Sequence, residues 1–202
     1  MAASVKIFVE GIADKKFMSD YLAHIMPSYQ IDNEMIIDCS GWTSRSEFIK
    51  NEMKYNTDNG AINLVIFDAD KSFSIREQEI KNILSDSLFE LFLFPNNKDA
   101  GTLEDLLEQI IVEKNKPIFD CWNAYEICLK NKQIAGYDKP LTVPAKKTKI
   151  YAYLEALLGS TKEEKRKIKE KERNYRNKEH WNLDSKYLES LKIFLLDKIK
   201  EI

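Results

Sequence analysis

The sequence predicts an α/β fold in which a central parallel sheet of four strands carries helices on both faces. Strand-like and helix-like segments alternate over the first 112 residues with short connections, and such alternation is typical of parallel β-α-β units. Two strand-like segments contain the uninterrupted apolar runs LVIF and LFLF, which favour strands buried on both sides. In addition, acidic residues follow the first and third of these segments, at the end of the strands where such sheets bind ligands.

The elements of the first half each carry a local signal. Apolar and β-branched runs predict the strands, and apolar residues spaced three and four apart predict the helices between them. Pro27 ends the first helix, because proline cannot continue the hydrogen-bond ladder. The predicted strands cover residues 4–11, 34–41, 62–70 and 89–95, and the predicted helices cover residues 12–26, 43–55, 74–86 and 102–111.

The second half changes to helical segments without strands. We therefore expect two regions: an α/β domain, residues 1–112, and a helical, basic C-terminal region, residues 113–202. Within the latter, residues 160–178, here called the basic segment, hold nine Lys or Arg and four Glu. Residues 184–202 carry an amphipathic stripe that we expect to pack on a neighbouring element. The predicted helices cover residues 119–131, 146–159, 160–178 and 184–202.

The composition excludes several classes of protein. Three cysteines without pairwise spacing argue against a disulfide framework, and two isolated histidines are too few for a zinc site. Cys121, Cys128, Trp122 and Tyr125 are expected to pack in the core. The apolar runs are too short to span a bilayer, and the N-terminal sequence lacks the pattern of a signal peptide. We therefore expect a soluble, cytoplasmic protein.

The net charge of −2 conceals an asymmetry between the two halves. Residues 1–110 carry 10 Lys or Arg against 19 Asp or Glu, whereas residues 111–202 carry 21 against 14. An acidic half beside a basic half suits a carboxylate site next to a surface that binds a polyanion. A helical region that lysines merely keep solvated is the alternative.

Three carboxylates occur at the predicted ends of the first and third strands. Asp68 and Asp70 finish the run LVIFDAD, and Glu10 holds the corresponding place after the first strand. Because side chains alternate along a strand, we expect both aspartates on one side, close to Glu10. Such acids repel one another unless a cation compensates them. Ligands that offer only oxygen favour Mg²⁺ or Mn²⁺, and Glu10 could alternatively act as general acid or base.

A fourth candidate follows the fourth strand. In PNNKDAGTLEDLL, Glu104 would lie in the first turn of a helix and, like Asp99, could help to hold a second metal ion. The alternative is purely structural, because Thr102 and Asp105 have the spacing of a capping box and acids favour helix N-termini. Lys98, in the same stretch, could contact a phosphate.

These motifs resemble the Toprim domain, which type IA and type II topoisomerases, bacterial primases, nucleases of the overcoming-lysogenization-defect (OLD) family and some small ribonucleases share. The resemblance lies in a glutamate after the first strand, here FVEGIAD, and a D-x-D after the third, here IFDAD. The stretch LFLFPNNKDAGTLEDLL is similar to that of small Toprim-related bacterial proteins. Altogether the resemblance covers about residues 4–112.

The resemblance implies a Toprim-like, Rossmann-like sheet and roles for the acids. Glu10 would be the general acid/base or a metal ligand, Asp68 and Asp70 would bind the metal, and Glu104 would be a second-site ligand. Some Toprim proteins carry a third acid where this chain has Ser72. The chain is also too short for the cleavage domain of a topoisomerase or the accessory parts of a primase, and it has no P-loop motif.

Basic side chains of the C-terminal region are candidates for binding nucleic acid. Their spacing over the basic segment predicts one helical face that follows a phosphate backbone, and Tyr175 and Trp181 could stack on a base. A solvated helix laced with Glu and Lys pairs is the alternative. The predicted nucleic-acid-binding residues are Lys98, Lys147, Lys149, Arg166, Arg173 and Arg176.

The sequence thus predicts a Mg²⁺-dependent nuclease or phosphotransferase that acts on phosphodiesters of DNA or RNA. One alternative is a non-catalytic Toprim-fold module that binds nucleic acid or a protein within a larger assembly. A small-molecule phosphohydrolase is another. We expect nucleic acid as the main partner, no membrane partner, and leave a homo-oligomer or a protein partner open.

Overall fold

The structure is a computed structural model that describes residues 4–29, 31–32 and 34–200. In these residues it confirms the predicted α/β class, with a central four-stranded sheet in the order β2-β1-β3-β4. All neighbouring strands pair in parallel. The strands are β1 Val5–Val9, β2 Ile36–Asp38, β3 Ile62–Asp68 and β4 Glu90–Phe94.

The helices begin and end close to the predicted positions, with one large exception. The predicted helix over the basic segment ends at Ile168 and is followed by a short 3₁₀ turn. The Arg173 guanidinium donates to the Ile168 carbonyl oxygen (Nη2–O 3.2 Å), so a side chain satisfies the helix end there. The helices are α1 Ile12–Ile25, α2 Ser46–Asp58, α3 Phe73–Ile83, α4 Leu103–Gln109, α5 Lys116–Asn131, α6 Lys146–Leu158, α7 Lys162–Ile168 and α8 Glu189–Lys200.

Helices cover the two faces of the sheet unequally. On one face, α2 and α3 bury Ile49, Met53 and Ile80 against alternate residues of the central strands, such as Phe8 and Val65. On the other face, α1 and α4 pack together with the C-terminal helices. Because successive side chains of a strand point to opposite faces, the apolar runs of β1 and β3 supply both cores.

The C-terminal region completes the larger core instead of forming a separate one. A single cluster of buried side chains contains Ile7 and Phe94 from the sheet together with Tyr153, Trp181 and Leu195 from the C-terminal region. The predicted amphipathic stripe of the last helix belongs to this cluster, as expected. The two regions therefore depend on each other for burial of their apolar surfaces. No helix among the described residues has the length and apolar character to cross a membrane.

Candidate active site

The sheet topology creates a crevice at the carboxyl ends of β1 and β3. The chain leaves β1 over one face through α1 and reaches β3 over the other face through α2. In doubly wound sheets, this reversal opens a gap beyond the strand ends in which ligands bind. The acids predicted from the sequence follow these two strands.

Glu10 joins the ends of the two strands directly. Its Oε1 atom accepts hydrogen bonds from the backbone N–H of Asp68 (3.1 Å) and from Nη2 of Arg76 (2.8 Å). The predicted convergence of Glu10 and the third strand is thereby confirmed. Burial raises the pKa of Glu10, although the Arg76 guanidinium and the Asp68 amide counteract it.

Asp68 is half-buried at the end of β3. Its Oδ1 atom accepts a hydrogen bond from the backbone N–H of Leu103 (2.9 Å), at the first turn of α4. Burial, and then the carboxylates of Asp14, Glu10 and Glu104, raise the pKa of Asp68 to about 9. At neutral pH the Asp68 carboxyl therefore holds its proton unless a cation replaces it.

Asp14 is a member of this group that the sequence analysis missed. It lies in the first turn of α1 and is buried there. Burial and the carboxylates of Glu10 and Glu104 raise its pKa to about 7. A signal was present in the motif FVEGIAD, because the first turn of a helix that follows a strand faces the same edge as the strand end. An acid in a first turn is usually explained as a partner of the helix dipole.

Glu104 belongs to the same group, although it is also close to a helix cap. Its Oε2 atom accepts a hydrogen bond from the Thr102 hydroxyl (2.9 Å), while the predicted Thr102 and Asp105 capping box is present. Its carboxylate contributes to the raised pKa of both Asp14 and Asp68. We call Glu10, Asp14, Asp68 and Glu104 the acidic cluster.

Asp70 takes a different direction from Asp68, contrary to the prediction that both project to one side. Strand β3 ends at Asp68, and Asp70 has a left-handed backbone (φ 53°) that breaks the alternation. Its carboxylate lies 3.4 Å from Nε of Arg76. The Asp68 carboxylate instead accepts a hydrogen bond from the backbone N–H of Leu103 at the start of α4. Asp70 is thus on the side of α3 and is more exposed than the acidic cluster.

Arg76 is the cation beside these acids, and the sequence analysis missed it too. Besides Glu10 and Asp70, its guanidinium binds Glu79 (Nη1–Oε2 2.9 Å) and donates to the Asp68 carbonyl oxygen (Nε–O 3.2 Å). It also lies over the ring of Trp42, 4.9 Å from the centroid. Arg76 therefore compensates the charges of Glu10, Asp70 and Glu79. In the described part of the chain, the carboxylates of Asp14 and Asp68 have no such cation and repel each other.

The acidic cluster has the donor atoms of a metal site but not yet its geometry. Its donors are carboxylate oxygens, the ligands that hard dications prefer. Within the described residues, however, no three Asp, Glu, His or Cys side chains lie in an arrangement that could already hold a metal ion. The donor chemistry fits Mg²⁺ or Mn²⁺, and binding requires these side chains to draw together.

Two of the predicted nucleic-acid-binding residues are buried, which corrects that prediction. Arg173 is 3% exposed and donates to the Ile168 carbonyl and to the Tyr175 hydroxyl (3.0 Å). Lys149 is 8% exposed and binds Glu108 (2.6 Å). Neither side chain presents its charge to a phosphate backbone. Tyr175 is also buried, like Trp181, so the predicted stacking of bases on these rings is wrong.

The other predicted basic residues are on the surface, but they do not form one helical face. Lys147 pairs with Glu170 at the start of α6 and is close enough to Glu104 for that carboxylate to raise its pKa, after the larger effect of Glu170. Lys98, Arg166 and Arg176 are exposed. Because α7 ends at Ile168, the helical periodicity does not extend to Arg176.

The remaining predictions concern Asp99 and helix α5. The Asp99 carboxylate accepts from the Asn96 amide (2.8 Å) and is exposed, so the structure does not bring it into the acidic cluster. Cys121, Cys128 and Tyr125 are exposed, and Trp122 is only partly buried. The prediction that these α5 residues pack in the core is wrong, because α5 contacts the rest of the protein along one narrow side.

Comparisons with known proteins give a family without an assigned activity. A family model described as "Protein of unknown function (DUF3226)" matches residues 4–199, which is nearly the entire chain. No curated protein and no solved structure matches the chain significantly. The geometry of the site and the motif resemblance must therefore carry the functional argument.

Proposed function

The chain belongs to the DUF3226 family of proteins of unknown function, and we propose that it is a Mg²⁺- or Mn²⁺-dependent, Toprim-type nuclease or phosphotransferase that acts on phosphodiesters of DNA or RNA. One observation carries the proposal. Carboxylates from separate elements converge beyond β1 and β3, where burial, and then their mutual repulsion, raises the pKa of Asp14 to about 7 and that of Asp68 to about 9. Shifts of this size concentrate at functional sites.

A divalent cation supplies what this arrangement lacks. Neutral carboxylic acids at these positions would be poor ligands, but a dication lowers their pKa values and removes the repulsion. Asp68, Glu104, Asp14 and Glu10 would hold the ion. A bound Mg²⁺ or Mn²⁺ stabilises charge on phosphoryl oxygens and activates a water molecule.

The chain's own residues have distinct tasks in this proposal. Glu10 is the candidate general acid or base, because burial raises its pKa above the ordinary value and the Asp68 amide fixes its position. Arg76 orients Glu10 and Asp70 through its ion pairs. Lys147, whose ammonium pairs with Glu170 and also interacts with the Glu104 carboxylate, is placed to attract the phosphate backbone, which a point charge such as an ammonium does well. The E-G and D-x-D motifs, with their likeness to Toprim domains, support the same reading.

A cleavage assay with matched variants tests the proposal. Labelled single-stranded DNA, duplex DNA and RNA are incubated with Mg²⁺, Mn²⁺ or EDTA and with wild type, Glu10→Gln or Asp68→Asn. We expect metal-dependent cleavage by the wild type and a loss of about 10²–10⁴-fold in either variant. Asp86→Asn, which changes an exposed aspartate far along the chain, is the control and should cleave normally. Cleavage that survives both site substitutions would refute the assignment.

A non-catalytic nucleic-acid-binding module is the second candidate, and Arg76 favours it. Its ion pair with Glu10 (2.8 Å) already compensates the candidate general acid or base, so the site could be a structural ion network. Arg76→Gln separates the candidates through Mn²⁺ binding followed by electron paramagnetic resonance. If the cluster is a metal site, removal of this competing cation should raise Mn²⁺ affinity about tenfold. A binding module would bind nucleic acid in a salt-sensitive way and take up no Mn²⁺ in either form.

A further inference from the structure

A cleft of about 590 Å³ lies beside the acidic cluster and has no role in the function proposed so far. One wall consists of the residues that follow β3 and the first turns of α3, and the other consists of the N-terminal ends of α4 and α6. We call it the β3–α3 cleft. Its lining residues are Ala69, Asp70, Lys71, Ser72, Ile75, Arg76, Glu79, Thr102 and Lys146.

The β3–α3 cleft adjoins the acidic cluster, because two of its lining residues bind carboxylates of the cluster. Its wall residue Arg76 binds Glu10 at 2.8 Å. On the opposite wall, the Thr102 hydroxyl donates to Glu104 at 2.9 Å. A molecule in the cleft is therefore separated from two carboxylates of the cluster by one side chain on each wall.

The lining offers an apolar surface and ammonium groups, while its two acids, Asp70 and Glu79, both pair with Arg76. Ile75 is 71% exposed on α3 although it is aliphatic, and it forms part of the cleft wall with Ala69. Lys71 has no ion pair among the residues that the structure describes, and Lys146 forms an ion pair with Asp105. An exposed aliphatic wall next to ammonium groups can hold a planar base and its phosphate together.

The size of the cleft limits its ligand. Sites of about 300–1,000 Å³ hold small organic molecules, and the β3–α3 cleft is within this range. One nucleotide unit fits such a volume, whereas a base-paired helix does not, because in a duplex the partner base occupies the Watson–Crick edge and neighbouring base pairs cover both faces of the base. The site thus favours an unpaired nucleotide.

We propose that the β3–α3 cleft binds one unpaired nucleotide unit, with the base against Ile75 and the phosphate at Lys71 and Lys146. Where the proposed phosphodiester chemistry holds, the cleft directs single-stranded ends to the acidic cluster, and this part rests on the proposed function. Binding of the nucleotide unit in the cleft does not depend on the proposed function. Its ligand chemistry is that of a nucleoside monophosphate, from either a strand end or a free nucleotide.

Binding in EDTA tests the inference without any cleavage. Fluorescence polarisation of labelled single-stranded oligonucleotides is measured for wild type, Ile75→Ser and Lys71→Ala, with a duplex of the same sequence in parallel. We expect each variant to bind the single strand about five- to twentyfold more weakly, and the duplex to bind more weakly than the single strand. Ile193→Ser, at another exposed isoleucine, and Lys81→Ala, further along α3, are matched controls that should bind normally.

The outcomes separate this inference from the proposed function. Unchanged binding by Ile75→Ser and Lys71→Ala, or equal affinity for duplex and single strand, would overturn the cleft assignment even if the protein cleaves DNA or RNA. Weaker binding by both variants supports the assignment even if no metal ion supports cleavage. Competition by adenosine monophosphate identifies a free nucleotide as ligand, and competition by oligonucleotides alone identifies a strand end. Circular dichroism of each variant verifies that it is folded.

Discussion

The acidic cluster and the basic segment are both rich in charge, but they hold it in opposite ways. Carboxylates of the acidic cluster are largely buried, and the pKa values of Asp14 and Asp68 rise because burial and neighbouring acids disfavour ionisation. In the basic segment, most side chains are exposed, and several meet a glutamate, as Lys167 meets Glu163 at 3.2 Å. Like charges therefore repel one another in the acidic cluster, whereas water and neighbouring glutamates compensate the charges of the basic segment.

This difference shows which charges are available for function. An exposed ion pair contributes only about 0–1 kcal/mol to stability, so the number of such pairs in a segment says little about what binds there. Buried like charges oppose folding, so a ligand that removes their repulsion binds with the free energy thereby released. The count of charges in a segment is therefore a weaker guide to a site than the environment in which they are held.

The largest effect that we expect is a loss of stability on substitution of Arg173, the one arginine of the basic segment that is buried. Arg173→Ala removes a buried guanidinium, leaves the Ile168 carbonyl without its donor and opens a cavity beside Tyr175. The free energy of unfolding should fall by about 2–4 kcal/mol, and Tm by roughly 5–15 °C. Arg166→Ala changes an exposed neighbour and should shift stability by less than about 0.5 kcal/mol. Equal melting temperatures for the two variants would contradict the buried placement of Arg173.

The free energy of unfolding, measured over a range of pH, tests whether the carboxylates of the acidic cluster repel one another. The folded pKa values of Asp14 and Asp68, about 7 and about 9, lie above their ordinary value of 3.8. The unfolded chain therefore loses these protons first, and metal-free stability should fall as pH rises from about 4 to 9. We expect a loss of about 1–3 kcal/mol, measured by urea unfolding in EDTA. Mg²⁺ should restore stability at pH 8 but not at pH 5, and a flat profile would contradict the shifts.

A substitution of Asp14 measures how much of this pH dependence of stability comes from the Asp14 carboxylate. Asp14→Asn removes a carboxylate whose ionisation opposes folding, so the metal-free variant should be more stable than wild type at pH 8, by about 1–2 kcal/mol. At pH 4 the two proteins should unfold at the same urea concentration, because Asp14 is then neutral in the folded protein. Asp86→Asn is the exposed counterpart and should have no effect at either pH. Lower stability of Asp14→Asn at pH 8 would show that the carboxylate is compensated.

The smallest effect concerns the exposed basic residues. Arg166→Gln and Arg176→Gln should leave Tm unchanged but weaken nucleic-acid binding a few-fold. Each should reduce the slope of log affinity against log salt by about 1 if it contacts a phosphate. Lys149→Gln is the comparison, since its buried pair with Glu108 affects stability instead of the slope. Polarisation titrations at four salt concentrations measure this.

The predicted meeting of Glu10 with the end of β3 is present, whereas the predicted basic helix face is not, and the cause of this difference is geometric. Parallel pairing of β1 and β3 brings their carboxyl ends to one edge whatever the loops do, so the meeting of Glu10 and Asp68 followed from the strand order alone. A helical face exists only while the helix continues. The end of α7 at Ile168 depends on the Arg173 hydrogen bonds, and periodicity contains no information on such a contact.

Arg76, which the sequence analysis missed, and Asp70, whose direction it predicted wrongly, owe their places to three-dimensional packing. Arg76 is one of several charged residues on α3, and only the position of this helix against Trp42 directs its guanidinium to Glu10. Asp70 follows the end of β3, where its left-handed backbone turns it away from Asp68. Strand alternation cannot predict a direction beyond the last paired residue.

The single apolar cluster that joins the sheet to Trp181 and Leu195 has a practical consequence for dissecting the protein. A fragment cut after residue 112, although it contains all four carboxylates, would expose the side chains that those residues cover. Such a fragment should precipitate or bind hydrophobic dyes, so its inactivity would say nothing about catalysis. Truncation is therefore the wrong tool for separating chemistry from substrate capture, and point substitutions in the intact chain are the right one.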